Sequence, residues 1–346
     1  MARGREAVHG GEKVPVSEWE DELDTLARRR LVLFSGRSHP ELAGEIAEHL
    51  GVSLGGANLR EFADGEIHGR YSDSIRGADV FIIQTHARPV NDSIMEQLIM
   101  VDAAKRASAR RITAVCPYYG YARQDRKASG REPITAKLVA DLLSVAGVSR
   151  VMSVDLHSGQ VQGFFDFPVD HLVAWPVLIG YLTEHAGKDV VIVSPDAGRV
   201  RVAERFSQQL GTDLAFVHKR RPPGQANVVE ALEVIGNVAG RRCVIVDDMI
   251  DTAGTMCAAA QRLIEEGATE VWAMATHAVL SPPASERLAA APISRVIVTN
   301  TLPLSPSQRI DKLEVLSIAE VIASAIDAVF EDSSVSKLFG GQNLSS

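Results

Sequence analysis

Cysteine is scarce: Cys116, Cys243 and Cys257 are the 3 in 346 residues, an odd number with no CxxC pair. A small disulfide-stapled scaffold is excluded, and these thiols read as core hydrophobes rather than ligands. Basic charge is also short. Lys and Arg total 36 against 44 Asp and Glu, a net charge of -8, which leaves no footprint for nucleic acid. No uninterrupted run of about 18 apolar residues occurs, and the N-terminus lacks the apolar segment of a signal peptide, so no membrane partner and a cytoplasmic location are expected. The GxG pattern is missing, and the one Gly-Lys pair, Gly187 and Lys188, precedes Asp189 rather than Ser or Thr. Dinucleotide and Walker-type fingerprints are thereby excluded. With 46% hydrophobic and 23% charged residues, the chain has the composition of a globular protein, and its length suits about two domains of roughly 150 residues.

Residues 1–30 are polar, with a Ser17/Glu20 capping-box pattern, and read as a mobile extension outside the core. From Leu31, apolar runs alternate with amphipathic stretches, the rhythm of βα units. Strands are predicted at 31–36, 79–84, 111–117, 150–156, 189–194, 214–218, 242–248, 271–276, 295–300 and 313–317. Helices are predicted at 40–50, 92–107, 133–146, 199–210, 254–267 and 318–330, with Gly51, Gly147, Gly211 and Gly267 at their ends. Strands apolar throughout indicate parallel sheets covered on both faces. The rhythm divides near 175–188, giving an α/β chain of two doubly wound domains, 31–175 and 176–317, related as a tandem pair; 318–339 forms a C-terminal helix and tail that packs back on the first domain. Ligands of such sheets sit beyond the carboxyl ends of the strands.

The most informative segment is Cys243–Thr255, CVIVDDMIDTAGT. A strand delivers Asp247 and Asp248 to its carboxyl end, where carboxylates accept hydrogen bonds from sugar hydroxyls or hold Mg2+ through water. Asp251, Thr252, Ala253, Gly254 and Thr255 then enter a helix, offering backbone N–H groups to a phosphate. A bare helix cap with solvated acids is the plainer reading of the same residues.

The segment resembles the ribose 5-phosphate loop of the type I phosphoribosyltransferase fold. With Phe62–Glu66 (FADGE), Tyr118–Lys127 (YYGYARQDRK), Val154–Phe165 (VDLHSGQVQGFF), Ser194–Asp196 and Val217–Arg221 (VHKRR), the stretch from Leu31 to Phe339 resembles class I ribose-phosphate diphosphokinases, the phosphoribosyl pyrophosphate synthetases. The resemblance implies transfer of the diphosphoryl group of ATP to the C1 hydroxyl of ribose 5-phosphate, with Mg2+, for nucleotide, histidine and tryptophan biosynthesis. His157 and Asp196, each just past a strand, are implied contacts of the metal bound to ATP. Lys219 and Arg221 open the Pro- and Gly-containing stretch KRRPPGQAN and are implied catalytic cations on a closing loop, Arg221 also touching ribose 5-phosphate; without the resemblance they read as a solvated basic turn. Arg123 and Gln124 are implied ATP contacts, as are Phe62, Asp64, Gly65 and Glu66. In the family the latter four come from a neighbouring subunit, which implies a homo-oligomer, usually a hexamer.

Two departures stand out. Arg199 follows SPDAG where many relatives have a second glycine, and both phosphate binding and solvent exposure are open to it. Ser129 and Gly130 stand where regulated relatives carry Arg-Ser, which leaves regulation by ADP and phosphate an open question for this chain. A phosphoribosyltransferase and a noncatalytic regulatory homologue are the rival readings.

Overall fold

The computed structural model describes residues 6–9, 12–15, 29–187, 189–220 and 231–339. An antiparallel hairpin, β1 (Glu6–His9) with β2 (Glu12–Pro15), stands apart from two main sheets. The first sheet is five-stranded and parallel, formed in chain order by β3 (Leu31–Ser35), β6 (Asp79–Ile83), β7 (Arg111–Cys116), β8 (Arg150–Val154) and β9 (Val169–Leu172). A separate antiparallel hairpin, β4 (Ala57–Glu61) with β5 (Ile67–Tyr71), interrupts the path from β3 to β6.

The second sheet is seven-stranded, in the order β12-β11-β10-β13-β14-β15-β16. Its strands are β10 (Val190–Ser194), β11 (Asp213–Arg220), β12 (Ala231–Ile235), β13 (Arg242–Ile250), β14 (Glu270–Ala278), β15 (Arg295–Thr299) and β16 (Leu313–Leu316). All pairings are parallel except β11 with β12. The chain leaves β10 in one direction and β13 in the other, so the strand order reverses between them. That crevice is where ligands of open α/β sheets bind.

Continuous apolar strands are stabilised here because both faces are covered. Helices α2 (Val90–Arg106) and α3 (Thr135–Ala146) bury Ile82, Ala114 and Cys116 on the outer face of the first sheet. Helices α6 (Gly254–Glu265) and α7 (Ala284–Ala290) cover Val191, Val193 and Ile245 on the outer face of the second. Between the sheets, α1 (Pro40–His49), α4 (Trp175–His185), α5 (Val200–Leu210) and α8 (Ala319–Phe330) share one core, with Ile46, Met152, Ile192, Trp272 and Ile326 among its residues. Although α8 follows the second sheet, it packs against α1 of the first. Gly147 and Gly211 close α3 and α5 at φ 118° and 64°, a left-handed conformation that glycine adopts without a Cβ penalty.

The extension is not wholly outside the core. Arg29 pairs with buried Asp79 at 3.1 Å and lies 5.1 Å from the Phe330 ring centre, because a buried carboxylate needs compensating donors. The Ser17/Glu20 pattern lies outside the described residues.

A polar joint couples the two sheets at their carboxyl ends. Thr85 Oγ1 donates to the Thr301 carbonyl at 2.7 Å, and His39 Nε2 to that of Asn300 at 2.9 Å. Asp155, held at φ 38°, accepts from Thr276 Oγ1 at 2.6 Å and from the Ala174 N–H at 3.0 Å through its carboxylate. Its carbonyl accepts from His277 Nε2 at 3.1 Å.

Beside this joint, fully buried His86 accepts from the Gly120 N–H at Nδ1 (2.8 Å) and donates from Nε2 to Gln97 Oε1 (2.9 Å). Burial pushes its pKa down to about 4, against an unfolded value of 6.5. Between those values the unfolded chain binds more protons, so stability is complete above pH 6.5 and falls as pH drops towards 4, by up to about 1.4 kcal/mol per unit from this one group. Between pH 7 and pH 5 the His86→Gln variant should lose about 1–2 kcal/mol less stability than the parent chain in urea titrations. Equal losses would show that His86 is not the titrating group.

Candidate active site

The crevice between β10 and β13 is built from carboxylates. Just past β10, Asp196 accepts the N–H groups of Gly198 (2.8 Å) and Arg199 (3.1 Å) through Oδ1, which fixes the turn into α5. Within β13, Asp247 and Asp248 are adjacent, and Asp247 Oδ1 accepts the Asp248 N–H at 2.8 Å. Across the domain joint, His157 Nδ1 donates to Asp248 Oδ2 at 2.7 Å. Burial and the charge of Asp248 push the Asp247 carboxyl up. Burial also opposes ionisation of Asp248, but the His157 hydrogen bond and the Arg199 charge outweigh it and hold that carboxyl low.

Beyond β13, Asp251 Oδ2 pairs with Arg123 Nη1 at 2.7 Å; burial opposes ionisation of Asp251, but hydrogen bonds from Ser281 and Arg123 outweigh it and hold that carboxyl low. Ala253 takes φ 60°, and α6 then starts at Gly254 with no capping side chain. Its first N–H groups therefore face the crevice as an anion site. Arg287 Nη1 donates to the Thr252 carbonyl at 3.0 Å and braces this loop from α7.

A cavity of about 240 Å3 brings together Arg123, His157, Asp196, Arg199, Asp247, Asp248, Asp251, Thr252, Ala253, Gly254 and Thr255. It shares His157, Asp196, Arg199 and the Asp247/Asp248 pair with a larger one of about 830 Å3, which extends to Arg126 and Trp175. An imidazole and carboxylates on one cleft are a donor set that suits Mg2+. Among the described residues no group of three or more His, Cys, Asp or Glu side chains is arranged as a full ligand set, so phosphate oxygens and water would complete the shell.

Other expected site residues lie elsewhere. Phe62, Asp64, Gly65 and Glu66 form the β4–β5 turn, where the Phe62 N–H donates to the Glu66 carbonyl (2.8 Å) and the Phe62 ring is 45% exposed. They line neither cavity. Gln124 lines neither, and its Oε1 accepts from Thr135 Oγ1 at 2.6 Å. Ser129 closes a turn by donating its backbone N–H to Glu132 at 2.9 Å. The stretch read as opening a loop at Lys219 requires correction: β11 continues through Arg220, with Lys219 opposite Leu232 of β12, because antiparallel pairing satisfies the backbone there. Arg221 lies outside the described residues. Arg199 does not face solvent but lies against His157, Asp247 and Asp248. Sequence reasoning missed Arg287 and the joint residues Asp155 and Thr276. Asp155 had a signal in its position two residues before His157, whereas Arg287 is one more charge on an ordinary helix.

Comparison with known proteins agrees with this geometry. The N-terminal domain of ribose phosphate pyrophosphokinase matches residues 31–147, and the phosphoribosyl synthetase-associated domain matches residues 219–340. The ribose-phosphate pyrophosphokinase of Streptomyces coelicolor is 54% identical over 321 residues, 92% of this chain and 99% of that protein. That of Mycobacterium tuberculosis is 52% identical over 326 residues, covering 94% and 98%. The crystal structure of phosphoribosylpyrophosphate synthetase from Mycobacterium smegmatis superposes with a TM-score of 0.84 at 52% identity, covering 88% of this chain and all of that one. Identity above one half along nearly the full length, on the same fold, means that the chain belongs to the ribose-phosphate pyrophosphokinase family.

Proposed function

We propose that the chain transfers the diphosphoryl group of ATP to the C1 hydroxyl of ribose 5-phosphate, giving 5-phosphoribosyl 1-diphosphate and AMP for nucleotide, histidine and tryptophan biosynthesis, with Mg2+ as cofactor. The observation that carries this reading is the single cavity joining the Asp251–Thr255 anion cradle to the Asp247/Asp248 pair, His157, Asp196 and Arg123. One end suits a terminal phosphate, the middle a sugar and the other end a charged nucleotide.

The C1 hydroxyl loses its proton to solvent as its oxygen bonds to the β-phosphorus, the bridge to the α-phosphate breaks, and AMP leaves with the bridging oxygen. Such a transfer depends on positioning and charge compensation. The loop N–H groups hold the 5-phosphate, and Asp247 and Asp248 accept from the ribose hydroxyls, fixing C1 relative to the cleft. Arg123 binds ATP phosphate. His157 and Asp196 would hold the metal, which neutralises charge on the phosphate oxygens when bound. Lys219 and Arg221, carried here by sequence alone, stabilise the migrating group.

Purified protein with Mg-ATP should yield AMP and 5-phosphoribosyl 1-diphosphate in equal amounts, only when ribose 5-phosphate is present, as resolved by ion-exchange chromatography. The Lys219→Ala variant should lose about 100- to 1000-fold in kcat. A folded parent chain that makes no AMP would favour the noncatalytic homologue, and pyrophosphate release from added phosphoribosyl pyrophosphate would favour a phosphoribosyltransferase.

Thr255→Val removes a hydroxyl at the cradle, so KM for ribose 5-phosphate should rise about tenfold with kcat nearly kept. An unchanged KM would take the cradle out of the assignment.

The chain is also proposed to act as a cytoplasmic homo-oligomer, a hexamer. Leu138, Leu142 and Val145 form an exposed apolar stripe on α3, and the β4–β5 turn presents Phe62, Asp64 and Glu66 outwards, away from its own cavity. Sedimentation equilibrium should show a species larger than a monomer, and a monomer alone at micromolar concentration would refute the assignment.

A further inference from the structure

Arg199 lies where the notional ion of this site would have to be. Its backbone is fixed by Asp196, whose Oδ1 accepts the Arg199 N–H at 3.1 Å. From there the side chain, only 18% exposed, turns back across the crevice. Nη1 donates to the His157 carbonyl at 3.1 Å, and Nη2 lies 2.5 Å from His157 Nδ1 and 3.1 Å from both His157 Nε2 and Asp248 Oδ1. Nε faces Asp247 Oδ1 at 3.3 Å. One planar cation thus serves a residue of the first domain and two of the second.

The position of the charge makes this placement exclusive. His157 Nδ1 bonds to Asp248 at 2.7 Å, and the guanidinium lies against both nitrogens of the same ring. A divalent ion bound at Nε2 would also stand a few ångströms from the guanidinium, where like charges in a partly buried cleft repel strongly. Either the guanidinium or the ion holds His157, not both.

We propose that Arg199 is a built-in surrogate cation: without substrates it takes the place of the divalent ion at His157, and it must be displaced before that ion binds. The inference rests on His157 being a metal ligand, as in the function proposed above. Arg199 then does two things. It holds the ligand side chains in place across the domain joint, and it denies the site to a free divalent ion, so that ion binding is tied to a phosphate group that draws the guanidinium away.

The test is Mn2+ binding to nucleotide-free protein, read by the electron paramagnetic resonance signal of free Mn2+, with circular dichroism as the folding control. Arg199→Gly removes the competitor and leaves the Asp247/Asp248 pair short of positive charge, so it should bind Mn2+ at least about tenfold more tightly than the parent chain. Arg199→Gln, which keeps length and hydrogen bonding but not charge, should show a smaller gain in the same direction. Adding His157→Ala to Arg199→Gly should return the affinity to the parent value. If His157→Ala weakens Mn2+ binding but neither Arg199 variant strengthens it, the metal assignment stands and the surrogate-cation proposal is wrong. If the double variant keeps the tight site, the ion is not on His157, and both are wrong.

Discussion

Carboxylate crowding at the mouth of the second sheet governs the rest of the site. Parallel strands end side by side, so Asp196 after β10 and Asp247, Asp248 and Asp251 on and beyond β13 converge on one crevice. Four acids in a partly buried cleft repel one another unless cations or shared protons offset them. Arg199 and Arg123 supply the positive charge, with His157 bonded to Asp248. Two of these three partners, Arg123 and His157, come from the first domain. The same contacts that compensate the acids therefore fix the first domain over the mouth of the second.

That arrangement needs a joint that does not slide, and Asp155 provides it. Its position between β8 and His157 means that any shift of its backbone moves the imidazole. The left-handed φ of 38° is uncommon for a non-glycine residue and is held by bonds from Thr276, Ala174 and His277. A short acid that bonds to β14 and to the segment after β9 at once sets the offset between β8 and β14 without contact with any substrate.

Much of this was legible in the sequence because it is local. The run CVIVDDMIDTAGT reads as strand, acids, turn and helix, and forms each in that order. The predicted ends at Gly147 and Gly211 match because only a left-handed residue closes those helices cheaply. Less legible were segments stabilised by partners distant in sequence. The β4–β5 hairpin is mostly half-exposed and polar, so it lacks the apolar run that marks the core strands. The extension of β11 to Arg220 depends on pairing with β12, which no propensity of the basic residues announces. The direction of Arg199 was invisible for a third reason. Its partners His157, Asp247 and Asp248 lie more than 40 residues away on either side, and whether a guanidinium faces solvent, phosphate or carboxylate is decided only when those strands meet.

The pairing of arginines with acids also constrains how a polyanionic substrate is received. Both Arg123 and Arg199 enter the reaction already bonded, one to Asp251 and the other to His157 and the Asp247/Asp248 pair. A triphosphate that draws on either must replace an existing ionic contact rather than add a new one, so the net gain in ground-state binding is the difference between two charge-assisted bonds. Catalysis benefits from that restraint, because stabilisation common to substrate and transition state does not raise kcat. The acids released by the exchange are left for sugar hydroxyls and for positive charge that arrives with the substrates. Crowded carboxylates, costly in the empty cleft, thereby become the groups that organise the filled one.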